Sequence, residues 1–413
     1  MKITQVYSIL NAAVTEARGG DSLKVKDLAG IISLGNVLLD SSQSAFKDDF
    51  LNALVDRIGK TIISNRAYIA RDKSLVYDTF EFGAILQKIY VAPIAGEASA
   101  QWGLSNGQSL ASFVIAKPTV EQDLYQNLDT WTVTVTIPEV QLKSAFTSAE
   151  GVAALISAIW QAVENSMNQQ LETLTDLAYA GFIGERLVEA NGTAGPTVVN
   201  LLADYNTDMG FTGDNAGDAL PASQALYSMD FLKYAARKID QYTSWIERQT
   251  VLFNRKTNAR VRHTPKDLQR LTVLDQFASA MKFYLQADTY HNDLVQMPGY
   301  SETQYWQAPG TDFSFANCSK IYVKTPSTGY TVEQGGIVAL LTDMEAIGVM
   351  MDNRRVKSQN LPNEEADTYF NKVDKGYFCD MSEQGVVFII ADSLSSPVAP
   401  VSPDVGNTKS TKK

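Results

Sequence analysis

Side chains able to carry a reaction are scarce in this chain. Histidine occurs only at His263 and His291. The second lies in "QADTYHND", where Asp288, His291 and Asp293 are ligand types for a divalent cation. Carboxylates and imidazole at such spacings arise readily by chance, so no metal is expected there. Glu364 and Glu365 in "LPNEEAD" are the nearest thing to a pair of catalytic carboxylates, yet they read more naturally as a solvated helix start after Pro362. Cys318 and Cys379 are too few for a disulfide scaffold and spaced for no metal motif, so both read as packed thiols, and the "NGT" and "NCS" sequons carry no weight. There is no phosphate-cradling glycine loop, no Cys-x-x-Cys pair, no nucleophile elbow and no His-Glu-x-x-His. The expectation is no catalytic residue, no metal, no cofactor and no enzyme.

One basic island remains, "NRKTNARVRHTPK", with Arg255, Lys256, Arg260, Arg262 and Lys266. It suits either a phosphate or acidic-partner contact, or a solvated, ion-pairing face. The net charge of −11 weighs against gripping nucleic acid as the main task, so any DNA contact is expected to be weak and local. With 413 residues and a hydrophobic fraction of 45%, the chain can bury cores in two or three domains. No apolar run reaches membrane-spanning length, and "MKITQVYSIL" lacks the core and cleavage site of a signal peptide, so neither membrane nor export is expected.

The elements that would position these side chains read as follows. The first fifty residues are polar, helix-prone pieces that look like an arm, and "FKDDFLNALVDRIGK" is an amphipathic helix stopped by Gly59. Gly83 to Thr130 is an excursion out and back, with strand-like ends at Ala84 to Val91 and Thr119 to Leu124 around a middle broken by Gly and Pro. Two strands are marginal alone in water, so its apolar residues, Ile94, Trp102, Leu104 and Phe113 among them, are expected to lie on a neighbouring surface. "TWTVTVTIP" alternates strictly and predicts a half-buried strand over Thr130 to Ile137, stopped by Pro138. A capping box at Thr147 to Glu150 then opens a long amphipathic helix, with Gly181 as its expected stop. "SMDFLKYAARKIDQYT" predicts a shorter helix, and "RQTVLFNRKTNARV" a short strand beside the basic island. Lys266 to Ala287 alternates helix and strand signals. "GGIVALLTDMEAIGVMMD" reads as two short strands joined by "TDME", and "GYFCDMSEQGVVFIIAD" as a hairpin around Ser382 to Gly385. From Ser393 the chain reads as a flexible tail.

Taken in order, these segments resemble the major capsid proteins of tailed bacteriophages, the Hong Kong 97-type fold, nearest to those of small short-tailed phages of Gram-positive bacteria. The residues that carry the likeness are "NALVDRIG" (Asn52 to Gly59), "QLKSAFTS" (Gln141 to Ser148), "ISAIWQAVENS" (Ile156 to Ser166), "LTDLAYAGFI" (Leu174 to Ile183) and "RVRHTPKDL" (Arg260 to Leu268), followed by "VALLTDMEAIGVMMD" and "GVVFIIAD". The likeness spans Ala45 to Asp392 and rests on several weak matches in the correct order.

The resemblance implies an α+β fold with an N-terminal arm over 1–80 and an E-loop over 81–136. A peripheral domain over 137–215 would hold a spine helix at 147–181, and an axial domain would take 216–331. The chain would return to the peripheral domain over 332–377, add an axial hairpin at 378–392 and end in a tail over 393–413. It implies a structural protein that forms pentamers and hexamers closing into an icosahedral shell, assembled in the host cytoplasm and resident in the virion, around packaged double-stranded DNA. A separate scaffolding protein and a portal are the implied partners. No immunoglobulin-like decoration and no covalent crosslink are expected. Subunit-interface candidates are Arg57, Lys88, Glu97, Trp102, Phe113, Arg354 and Arg355. The competing readings are another virion structural protein, or a soluble α/β enzyme or ligand-binding protein built around His263, His291 or the Asp288 to Asp293 cluster.

Overall fold

The structure is a computed structural model that describes residues 3–18, 25, 33–34, 37, 49, 75–77, 86–94, 103–108, 117–125, 129–138, 149–211, 213–287, 299–307, 312–361, 363 and 366–400. In chain order its main elements are α1 (Ile3–Arg18), β1 (Val76–Tyr77), β2 (Leu86–Val91), β3 (Val120–Tyr125), β4 (Asp129–Pro138), α2 (Ala149–Ala190), β5 (Val198–Asn200), α3 (Leu201–Asp208) and α4 (Met229–Trp245). Then come β6 (Gln269–Leu274), α5 (Asp275–Ala287), β7 (Ser301–Thr303), β8 (Ile321–Lys324), β9 (Thr331–Gln334), β10 (Ile337–Asp343), β11 (Ile347–Leu361), β12 (Ala366–Cys379) and β13 (Gly385–Ile389). The chain divides into two compact units, one of 1–83, 127–174 and 349–376, the other of 84–126, 175–348 and 377–413.

The first unit holds a four-stranded sheet in the order β1, β11, β12, β4. The alternation in the sequence is realised in β4: Trp131, Val133, Val135 and Ile137 are half-buried, Thr130, Thr132, Thr134 and Thr136 are exposed. β4 pairs antiparallel with β12 along its whole length, from Asp129 beside Lys375 to Pro138 beside Ala366. Pro138 ends it, as a residue without a ladder donor should. The segment at the N-terminus forms α1, which buries Leu10, Ala13 and Val14, and Asn11 exchanges two hydrogen bonds with the backbone of Val25. The Gly59-stopped helix and the Thr147 capping position lie outside the described residues.

The second unit is built on a five-stranded sheet in the order β5, β13, β10, β6, β7. β13 and β10 are buried at every position, and continuous runs of Val, Ile and Leu such as these suit strands covered on both faces. α4 begins where Ser228 accepts a hydrogen bond from the Phe231 amide, and it buries Phe231, Leu232, Ala235, Ala236 and Ile239 at helical spacing. α3 begins at Asn200, whose side chain accepts from the amides of Leu202 and Ala203 and donates to the Ala391 carbonyl.

Several expectations are corrected. α2 does not stop at Gly181; it runs on to Ala190, 42 residues or about 63 Å, and ends where Asn191 and Gly192 take positive φ. Of the helix glycines Gly184 serves close approach instead: a Cβ there would stand 2.7 Å from Val323 Cγ1, whereas one at Gly181 would make ordinary contact with Cys379 Sγ at 3.6 Å. The turn 380–384 is not a hairpin, because β12 and β13 belong to different sheets. Its backbone groups bond elsewhere, Asp380 N to Ala346 O, Arg255 N to Met381 O and Gly385 N to Phe253 O. The same holds for "TDME", whose flanking strands also belong to different sheets, and the second of them is 15 residues long. No strand forms at 251–254; a single bridge joins Thr250 to Arg262. The tail reading fails for 393–400, since Val398 bridges Thr331 and the Ser395 amide donates to Gln334 Oε1.

Candidate functional site

β2 and β3 form an antiparallel hairpin whose register pairs Lys88 with Asp123, Tyr90 with Glu121 and Val91 with Val120. Side chains alternate between its faces. One face carries Lys88, Tyr90, Glu121, Asp123 and Tyr125, all partly buried. The other carries the exposed Gln87 and Gln122 with Ile89, Val91, Val120 and Leu124, which are exposed by 64%, 51%, 57% and 59%, and Ile94 just beyond is exposed by 73%. This inverts the usual arrangement: the charged face is turned to the protein and the apolar face to solvent.

The charged face is held by reciprocal ion pairs within the second unit. Lys88 Nζ lies 2.9 Å from Asp380 Oδ2, 3.1 Å from Glu383 Oε1 and 3.5 Å from Glu345 Oε2, and donates to the Glu345 carbonyl. Arg260 points the other way. Its Nε donates to Glu121 Oε2 at 2.8 Å and its Nη1 to Asp123, and also to Ser382 Oγ. Arg262 Nη2 reaches Glu383 at 2.9 Å, and the Arg260 and Arg262 guanidinium groups lie 5.0 and 4.6 Å from the Tyr90 ring centroid. Burial opposes the Lys88 charge, but Asp380 and Glu383 outweigh it and hold its pKa above the ordinary lysine value. Burial likewise opposes ionisation of Asp380, and Lys88 with the Ser382 hydroxyl and amide overcomes it, so its carboxyl titrates below the usual range. At Glu383 burial wins, despite Lys88 and Arg262, and the repulsion of Asp380 adds to it, so its pKa is raised.

The 380–384 turn that presents these carboxylates is itself anchored. Ser382 donates through its amide and hydroxyl to Asp380 Oδ1. The Arg186 side chain on α2 is fully buried, donates to the carbonyls of Glu383 and Met381, and pairs with Glu189. Burial pulls its pKa down to about 10.

Of the sequence candidates, Lys88 lies in this cluster. Arg354 and Arg355 lie on β11 in the first unit, where Arg354 bonds Glu164 at 2.5 Å and Arg355 grips Asp374 with two bonds of 2.6 and 3.0 Å. Arg57, Glu97, Trp102 and Phe113 lie outside the described residues, as do Asp288, His291, Asp293, Glu364 and Glu365. The basic island is an ion-pairing face: Arg255 pairs with Glu121, Lys256 bonds Glu189, Arg260 and Arg262 act as above, and Lys266 pairs with Glu247. The cluster carboxylates at Glu121, Asp123, Asp380 and Glu383 were not singled out by the sequence reading. The alternation in "VEQDLY", apolar against acidic, was the available signal. Among the described residues no group of His, Cys, Asp and Glu is arranged to hold a metal ion, and no helix is long and apolar enough to cross a membrane.

The family model for the Phi29-like phage major capsid protein matches residues 8–389, and the chain belongs to that family. It is a structural protein of the phage capsid, with the α+β fold of the Hong Kong 97 type. Solved structures similar to it include a chain of the Staphylococcus phage Andhra capsid, with 9% identity over 79% of this chain and 86% of that one at a TM-score of 0.48. A chain of the cyanophage P-SCSP1u capsid has 10% identity over 79% and 90% at a TM-score of 0.46. One from the mature capsid of bacteriophage PhiM1 has 7% over 79% and 89% at 0.42. The family match, and not these distant likenesses, assigns the chain. No curated protein matches it in sequence.

Proposed function

We propose that the chain builds its shell by laying the apolar face of the β2–β3 hairpin on an adjacent copy, in pentamers and hexamers that close into an icosahedron. The observation that carries this reading is the inversion of the hairpin, with Ile89, Val91, Ile94, Val120 and Leu124 turned to solvent. Apolar area withdrawn from water is worth about 25 cal/mol per Å², and a face of this kind on a two-stranded hairpin gains only when something covers it.

In this reading 81–136 is the E-loop, 1–80 the N-terminal arm, and 137–215 the start of a peripheral domain on the spine helix. Residues 216–331 and 378–392 form the axial part and 332–377 the return. Arg57, Glu97, Trp102 and Phe113 join the hairpin as contact candidates, together with Arg354 and Arg355, while Lys88 is engaged within its own chain. Assembly takes place in the host cytoplasm with a separate scaffolding protein and a portal. The protein catalyses no reaction, and its net charge of −11 lets packaged DNA be held without adhesion.

The test is negative-stain electron microscopy of the purified protein, alone and with its phage's scaffolding protein, beside a variant lacking residues 83–130. Closed shells or five- and six-membered rings from the intact chain, lost on deletion, are expected. Discrete subunits under both conditions, or shells that survive the deletion, would overturn the role given to the hairpin.

A further inference from the structure

On the face by which the hairpin sits on its own unit, the described side chains of the paired strands are polar or aromatic: Lys88, Tyr90, Glu121, Asp123 and Tyr125. Hydrophobic attachment is non-directional, whereas charge-assisted hydrogen bonds fix an angle. Tyr125 packs on Phe378 with ring centroids 5.2 Å apart, and the directional part of the attachment is charge, which is doubled: Lys88 on β2 reaches into the Asp380 and Glu383 carboxylates, while Arg260 reaches out to Glu121 and Asp123 on β3. Each strand is therefore pinned by its own ion pairs, of opposite polarity, and the hairpin cannot pivot on either strand without breaking one set.

The body side of this arrangement is buried. The Asp380 and Glu383 side chains are exposed by only 2% and 6%, and Arg260 by 4%. Buried charges deprived of their partners are heavily penalised, so each pair stands or falls with the other. The turn carrying the two carboxylates is gripped from below by the fully buried Arg186 of α2.

We propose that the Lys88 and Arg260 ion pairs form a latch that sets the pose of the hairpin on its own subunit before any neighbour is met, so that the apolar face is aimed outward. Lys88 and Arg260 are then positioning residues that act within one chain. The use made of the aimed face rests on the shell reading; the latch itself does not. The β2–β3 pairing depends on the latch for its protection, while β10 and β13 do not.

The experiment is hydrogen–deuterium exchange on the unassembled full-length chain, comparing peptides over 86–91 and 120–125 with peptides over 337–343 and 385–389. Lys88→Met should speed exchange of the hairpin amides on the order of tenfold or more and leave the two core strands unchanged. A second variant, Glu121→Gln with Asp123→Asn, alters partly exposed side chains and so keeps the fold; it should speed the same two peptides. Unchanged hairpin exchange in both variants, or an equal rise in all four peptides, would overturn the latch. Shell formation by the unaltered chain, scored separately by microscopy, tests the shell reading, so the two ideas fail independently.

Discussion

Replacing Ile89 and Leu124 with serine should leave the free subunit folded while crippling its association. Fully burying an aliphatic side chain is worth about 1.5–3 kcal/mol. Ile89 and Leu124 are exposed by 64% and 59% in the free chain, so covering them on a neighbour yields roughly 1–2 kcal/mol each. All five apolar positions of the face together yield roughly 5–9 kcal/mol on the same basis. Association itself costs about 4–15 kcal/mol in lost rotation and translation. One hairpin contact is thus near break-even, and shell growth depends on many of them at once. Losing roughly 2–4 kcal/mol at every contact should raise the critical concentration for assembly by on the order of thirtyfold or more. Light scattering against protein concentration reads that value, and urea denaturation of the free subunit reads folding, which should change by less than about 1 kcal/mol. An unchanged critical concentration would refute the reasoning. So would a large loss of folding stability, because the face would then be covered by its own chain.

Other outcomes follow from buried groups. Arg186→Met strands the Met381 and Glu383 carbonyls and should cost about 3–5 kcal/mol in chemical denaturation. Gly336→Ala forces a side chain onto φ +78 with its Cβ 2.1 Å from the Ile390 carbonyl oxygen, and should cost at least ~2 kcal/mol, visible as a lowered melting temperature. The two cluster carboxylates should respond to pH with opposite sign. The lowered pKa of Asp380 makes its contribution complete above the usual aspartate range and lost as pH falls through its folded value, whereas the raised pKa of Glu383 makes its contribution complete below the usual glutamate range and lost as pH rises. Urea denaturation across pH should show Asp380→Asn removing part of the acid-side decline, and Glu383→Gln removing part of the gain on mild acidification. Arg355→Met loses a partly exposed pair with Asp374 and should cost only about 1 kcal/mol or less by the same method.

Much of this was legible in the residues where one face of an element is wet and the other dry. The threonine alternation fixed the orientation of β4, and Ser228 with the spacing of Phe231, Leu232, Ala235 and Ile239 fixed α4. Glycine misled at Gly181, because a glycine tolerated inside a helix is written with the same letter as one that ends it. The 380–384 turn misled because turn residues announce a change of direction and say nothing about which sheet receives the next strand. The reciprocal ion pairs escaped for a related reason: Lys88 and Asp380 stand 292 positions apart, and only the fold makes them neighbours.

That separation also bears on synthesis. β13 lies between β5 and β10 in the second unit's sheet, yet of that sheet's described strands it is made last. Until residues 385–389 emerge, β5 and β10 have no common partner, and Asp380 and Glu383, the buried partners of Lys88, are made only just before them. Long-range pairing of this kind folds slowly and leaves incomplete chains open to aggregation. The order of translation therefore withholds the aimed apolar face until residues 385–389 have emerged, so a subunit not yet made to that point offers no well-posed surface to a growing shell.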